Sequence, residues 1–221
     1  MNALLGRGAC VVALSAVAAL APSSTAAAAT ATGTATHGNV AVVHLRGPLV
    51  NASFSTTDPT GCVTTDVFVS ANSGTEQDQP GTLHYAVASV QIYQYDACTD
   101  TTLRDAAGLS DSLATGAFQV SKQIDQASLH TTILASDLVS GASFPVTVDI
   151  GLVGISDIVR NHSNTNEVYP GCHIINRWKG SGRDAVATGS VSDGTTNLTP
   201  APSDFAEVGF VVTGFEIMNC A

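Results

Sequence analysis

Tyr85, Ser89, Gln91, Tyr93 and Tyr95 fall at alternate positions of one apolar-polar run, opposite Ala86, Ala88, Val90 and Ile92. In an extended strand alternate residues share a face, so the sequence places tyrosines and an amide on one side of a single strand. Phenol rings offer a flat apolar surface with a polar tip, and a glutamine amide both donates and accepts. Together they can stack on the C–H face of a sugar and pair with its hydroxyls. Trp178, the only tryptophan, sits in Asn176-Arg177-Trp178-Lys179 and joins the candidate binding set. The competing reading is ordinary cross-strand packing, or coverage by a second sheet.

Catalytic chemistry has weaker support. A glycosidase needs two carboxylates facing each other in a cleft, and Asp149 and Glu216 are the acids placed near strand features. Six histidines are present, but a Ser-His-Asp constellation is geometry and not order. His162 and His173 fall in or beside the polar stretch from Asn161 to Tyr169, read here as an exposed loop. No H-E-x-x-H or G-x-S-x-G occurs, which leaves the corresponding zinc-protease and hydrolase patterns without a match. Gly180-Ser181-Gly182-Arg183-Asp184-Ala185 matches G-x-G-x-x-A, yet a strand-like run follows it where a dinucleotide site needs a helix. It reads as a turn between strands. Acid-rich turns such as Asp96 to Asp100 invite calcium without a specific ligand spacing, and no cofactor or metal is assigned.

Cysteine usage points to an oxidising compartment. Beyond Cys10 the chain has Cys62, Cys98, Cys172 and Cys220, an even number without the short spacings of a zinc site. Pro59-Thr60-Gly61-Cys62 and Pro170-Gly171-Cys172 each open a strand, and each is followed by a long apolar strand ending in cysteine. The echo predicts bridges Cys62–Cys98 and Cys172–Cys220, and two tandem β-units over 39–112 and 113–221.

The elements that must position these residues are strands. Val63, Val67, Val69 and Ala71 alternate with polar residues, as do Leu129, Ile133 and Ala135. Phe144, Val146, Val148, Ile150 and Leu152 do so most regularly, and Phe118, Val120 and Ile124 complete another set. Period 2 with β-branched residues indicates half-buried antiparallel strands. Val208, Phe210 and Val212 precede Gly214, where the apolar face switches and a bulge is expected. Turn clusters include Asp58-Pro59-Thr60-Gly61, Asn72-Ser73-Gly74 and Ser192-Asp193-Gly194. Asp105 to Leu113 has room for a short helical turn. The fold class is therefore all-β, an antiparallel sandwich with a closed barrel as the alternative.

The N-terminus supplies an address. Arg7, the apolar run Cys10 to Ala21 and the small residues Ala26 to Ala29 have the order of a secretory signal peptide over 1–29. Residues 30–38 read as a disordered lead-in, and 39–221 as the secreted domain. Charged residues make up 12% of the chain, against about a quarter usually. The chain carries 8 basic and 18 acidic residues; without Arg7 the balance is 7 − 18 = −11. That balance disfavours nucleic acid as a partner, and membrane insertion is not expected once the leader is gone. The reading is a secreted, non-catalytic β-domain for extracellular or cell-surface binding, with extracellular polysaccharide as the partner. A hydrolase with a non-standard site and a carrier of small apolar ligands are the alternatives.

Overall fold

The computed structural model describes residues 40–78, 81–169, 172–201 and 204–218. The leader, the lead-in and Cys220 lie outside these residues, as does the Cys172 side chain, so the Cys172–Cys220 bridge does too. The described chain is all-β and antiparallel, with eleven strands in one sheet. The first four are β1 (Val40–Thr57), β2 (Val63–Asp78), β3 (Gly81–Asp96) and β4 (Thr101–Ser110). Then come β5 (Phe118–Val120), β6 (Gln126–Asp137), β7 (Ser143–Gly154) and β8 (Val159–Tyr169). The long β9 (Cys172–Ser192), the short β10 (Asn197–Leu198) and β11 (Phe205–Met218) finish it.

Pairing runs β9-β11-β1-β2-β3-β4-β6, and β7 pairs with both β6 and β9, so the path returns to its start. A sandwich and a closed sheet differ in whether the packed layers share paired edges, and here β7 supplies the shared one. β1 of the first half pairs with β11 of the second over fourteen positions, from Val40↔Met218 to Ser53↔Phe205.

Alternation explains the core. Val50 and Ala52, Val67, Val69 and Ala71, and Ala88, Val90 and Ile92 are buried from β1 to β3. Leu129, Ile133 and Ala135 on β6 meet them from across the interior with Val146, Val148, Ile150 and Leu152 on β7. Each fully buried aliphatic side chain of this size stabilises the fold by about 1.5–3 kcal/mol. Gly47 lies opposite Gly74, and a Cβ on either would fall within 2.0 Å of the other strand's backbone oxygens. That approach explains why Asn72-Ser73-Gly74 continues β2 and is not a turn.

Three further expectations are corrected. Residues Asp105 to Ser110 belong to β4, because exposed Leu103, Asp105, Ala107 and Leu109 alternate with inward residues including buried Ala106. Pairing runs unbroken through Gly214, and an irregularity lies instead between Gln94 and Tyr95. Ile124 is buried, but from a loop in which its φ is 51°, not from a strand.

The ring's thinnest seam is β4–β6, where three positions pair: Ala106↔Asp137, Ala107↔Ser136 and Gly108↔Ala135. Asp137 reinforces it. Its carboxylate accepts from the N–H of Asp105 at 3.1 Å, of Val139 at 3.1 Å and of Ser140 at 3.3 Å, and from the Ser140 hydroxyl. Leu138 N–H donates to Asp105 C=O at 2.8 Å. The Ser140 hydroxyl, with those N–H groups, holds the Asp137 carboxyl down at about 2 against burial. This depressed value means the stabilisation is present above the ordinary carboxylate range and is lost as pH falls through about 2. Asp137→Ala is expected to lower the urea midpoint, and Asp149→Ala to leave it nearly unchanged; equal midpoints would show that the seam does not rely on this carboxylate.

The other staple is the Cys62–Cys98 disulfide, closing a 36-residue separation. It joins the start of β2 to the residues just after β3, where Ala97 N–H donates to Cys62 C=O at 2.8 Å. Replacing both cysteines by serine should cost about 3–4 kcal/mol from loop entropy, read as a shift in urea unfolding; a loss below about 1 kcal/mol would mean the hairpin end is already fixed by its turns.

Candidate functional site

The hairpin end held by this bridge carries the tyrosines. Tyr93 and Tyr95 point outward from β3, away from buried Ile92, and their rings stack with centroids 6.5 Å apart and 9° between planes. Tyr93 is 40% exposed. Its hydroxyl lies 3.2 Å from Thr102 Oγ1, and the Tyr95 hydroxyl donates to Asp100 Oδ1. The bond to the Asp100 carboxylate holds the Tyr95 phenol proton and raises its pKa. Gln91, next along the face, is exposed, whereas Ser89 is buried with its Oγ 2.8 Å from Ser70 Oγ. Tyr85 is half-buried farther along β3.

Acids border the pair. Asp66 on β2 and Asp105 on β4 are the register partners of Tyr93, and both are exposed. Strand spacing of about 4.8 Å sets a carboxylate on each side of the ring. Asp58 and Asp100 occupy the adjoining turns, and Asp96 ends β3. Asp58 accepts from the Thr60 hydroxyl at 2.7 Å and from the Val63 and Cys62 N–H groups, which lower its pKa in that order. Asp96 is lowered by the Thr99 side chain first, with the N–H groups of Cys98 and Thr99 assisting. The turn carboxylates are thus engaged by their own loops. Cys62, Asp96 and Cys98 bring ligand-type atoms within 4.8 Å of one another, but both sulfurs are committed to the disulfide.

Trp178 is not brought to this pair. It stands outward on β9, its ring lying where a Cβ on Gly180 would come within 2.4 Å. Its register row crosses β11 at Thr213, β1 at Leu45 and β2 at Glu76, reaching β3 at Leu83. Tyr93 is ten residues farther along β3, about 30 Å of strand. The Gly180-Ser181-Gly182 segment is likewise strand, not turn. Its glycines make room for side chains on the outer face, Trp178 at Gly180 and Glu207 at Gly182.

Asp149 and Glu216 are also separated. Asp149 pairs with Ser190 and Glu216 with Ile175, fifteen residues apart on β9 and about 50 Å along it. Asp149 is exposed and meets His130 Nδ1 at 2.6 Å. The polar stretch holding His162 is strand β8, paired to β9 and exposed from Val159 to Val168. With both faces in water it has no apolar alternation to announce it. The His173 side chain lies outside the description.

Sequence reasoning missed Glu207. It is half-buried on β11 beside Asn51 and directly across from Asp184. Burial pushes its carboxyl up, the Asn51 hydrogen bond pulls it down, and the Asp184 charge pushes it up again. Asn51 is 4% exposed. Its burial on the outer face depends on neighbouring strands, which no local pattern reveals.

Within the ring, Arg104 from β4 reaches Asp193 in the β9–β10 turn and lies 5.0 Å from the Phe144 ring centroid. The recess beside them, lined in part by Thr65, Gln94 and Leu198, has room for about one water molecule. The Asp193 side chain is 3% exposed. Burial pushes its carboxyl up, but the Thr196 N–H, the Thr195 hydroxyl and N–H, and Arg104 together bring it to about 2. The native value is depressed, so the contribution is present above the ordinary carboxylate pKa and is lost as pH falls toward 2. Asp193→Asn should therefore reduce stability at pH 7 by about 1–2 kcal/mol and flatten the acid limb of the stability profile. Parallel profiles for the two proteins would assign the acid sensitivity elsewhere.

No family model matches the chain, and no curated protein matches it. Among solved structures, a protein described as AttH from Nitrosomonas europaea aligns at 10% identity with a TM-score of 0.29. The alignment covers 82% of this chain and 52% of that one, so the chain spans about half its length. A likeness at that level carries no argument about fold or activity.

Proposed function

We propose that the chain is an exported, non-catalytic binding domain whose Tyr93–Tyr95 face takes a neutral polysaccharide. The observation that carries this reading is the stacked tyrosine pair on the outward side of β3, with Tyr93 40% exposed and Gln91 beside it. Ring faces supply the apolar contact, and the amide and carboxylates supply hydroxyl partners. The charge around the pair selects further. Asp66 and Asp105 flank Tyr93, so a sugar bearing its own carboxylate or sulfate is repelled, whereas a neutral one is not. The filled interior, with Leu129, Ile133, Ile150 and Leu152 nearly inaccessible, favours surface binding over an enclosed apolar ligand. The leader-like N-terminus and the disulfide both suit export.

The test incubates oxidised protein with insoluble neutral glucans, assaying depletion and released sugar together. Depletion without released sugar is expected. Tyr93→Ala with Gln91→Ala should weaken retention about tenfold while leaving the melting temperature nearly unchanged, because both side chains are exposed. Unchanged retention in the variant would remove the tyrosine face from the proposal. Released sugar would make the protein a hydrolase and direct attention to Glu207 and Asp184.

A further inference from the structure

The sheet's other end has the opposite charge. One register row crosses six strands as His162, Lys179, Val212, Arg46, Thr75 and His84. His162, Lys179, Arg46 and His84 are exposed. Arg160 and Arg177, each two residues from this row and also exposed, belong to the same face. This side continues the ring's inward surface past Phe210, and the Arg46 guanidinium lies 5.7 Å from the Phe210 ring centroid. The whole chain has 8 lysines and arginines against 18 acids. Of those eight, Arg46, Arg160, Arg177 and Lys179 stand together here, and among the described residues none of the four has a carboxylate partner. Glu216, whose register position falls on the same side, lies four residues farther along β11.

From these positions we infer that this face is a second binding surface, for a linear acidic polysaccharide carrying carboxylate or sulfate groups. Lys179, Arg46 and His84 recur on every second strand of the row, a spacing of about 9–10 Å. Separated charges at Lys179 and Arg46 suit a polymer whose charges are also separated. Duplex DNA carries about one charge per 1.7 Å, and that density would be repelled by the chain's excess of acids. An anionic membrane presents a plane and meets the same repulsion. A single polysaccharide strand can lie along the row and touch little else. This inference rests on the cationic row and not on the tyrosine pair.

The test measures retention of oxidised protein on immobilised polygalacturonate and on a neutral glucan over a salt series. Polygalacturonate retention that falls with salt is expected, and it should persist in Tyr93→Ala. Arg46→Gln with Lys179→Gln should weaken it about tenfold at low salt and flatten its salt dependence. If loss of the Arg46–Phe210 contact impairs folding, Arg177→Gln with Lys179→Gln removes two exposed cations instead, and the same weakening is expected. Absence of polygalacturonate retention, or retention unchanged in a folded double variant, would overturn the inference. Equal affinity for duplex DNA or for phosphatidylserine vesicles would overturn the assignment to polysaccharide. Failure on neutral glucan alone would count against the tyrosine face and leave this inference standing.

Discussion

Everything in this fold depends on closing a path of antiparallel pairing whose weakest joint is three residues long. All eleven strands are tied to neighbours around or beside that path, and β4 pairs with β6 through Ala106, Ala107 and Gly108 alone. An open edge there would present unpaired N–H and C=O groups and loosen the packing of Ala106. Asp137 compensates by accepting from Asp105 N–H on β4 and from Val139 and Ser140 in the turn after β6. The carboxylate does what additional ladder bonds do elsewhere. Arg104 adds a second tie across the interior, from β4 to Phe144 on β7 and to the β9–β10 turn. Both ties are polar and end on a buried carboxylate, so each depends on having its partners satisfied.

Charge is scarce in this chain, and the fold sorts what there is. Asp58, Asp66, Asp96, Asp100 and Asp105 gather at one end of β2–β4, while Arg46, Arg160, Arg177 and Lys179 gather at the other end of the sheet. The acids at the first end repel one another, and Asp58 raises the Asp96 pKa slightly for that reason. Backbone N–H groups and hydroxyls in the two turns outweigh this repulsion, and the Cys62–Cys98 bridge holds the turns together. The stacked tyrosines are thus fixed by covalent and hydrogen-bonded neighbours instead of by core packing.

Legibility in the sequence followed burial. β3, β6 and β7 have one face in the core and one in water, so period 2 shows them directly. The outward side of the tyrosine strand and the Cys62–Cys98 pairing were legible for the same reason and from cysteine spacing. β8 was not, because Arg160, His162 and Glu167 belong to a strand exposed on both faces. Gly180 and Gly182 imitated a turn because glycine at a turn and glycine under a neighbouring side chain look alike locally. The separation of Trp178 from Tyr93, the nearness of Glu207 to Asp184, and the cationic row all depend on register accumulated across several strands. A one-residue slip in any pairing would put Lys179 or Arg46 on the other face, so no local pattern encodes the row.

The same register argument links the two proposed surfaces. Tyr93 stands on the outward side of β3 and His84 on the inward side, nine residues away, an odd number. Odd separation along a strand reverses the face, and distance along it changes the charge, since acids flank Tyr93 whereas His84 ends the row that holds Lys179 and Arg46. A polymer suited to one surface is therefore poorly suited to the other. The acids around Tyr93 oppose an anionic chain, and the row through Arg46 offers a neutral chain no charge complement and a single exposed apolar side chain, Val212. Discrimination between the two would come from repulsion at the tyrosine end as much as from attraction at the cationic end, and it would weaken with salt at both.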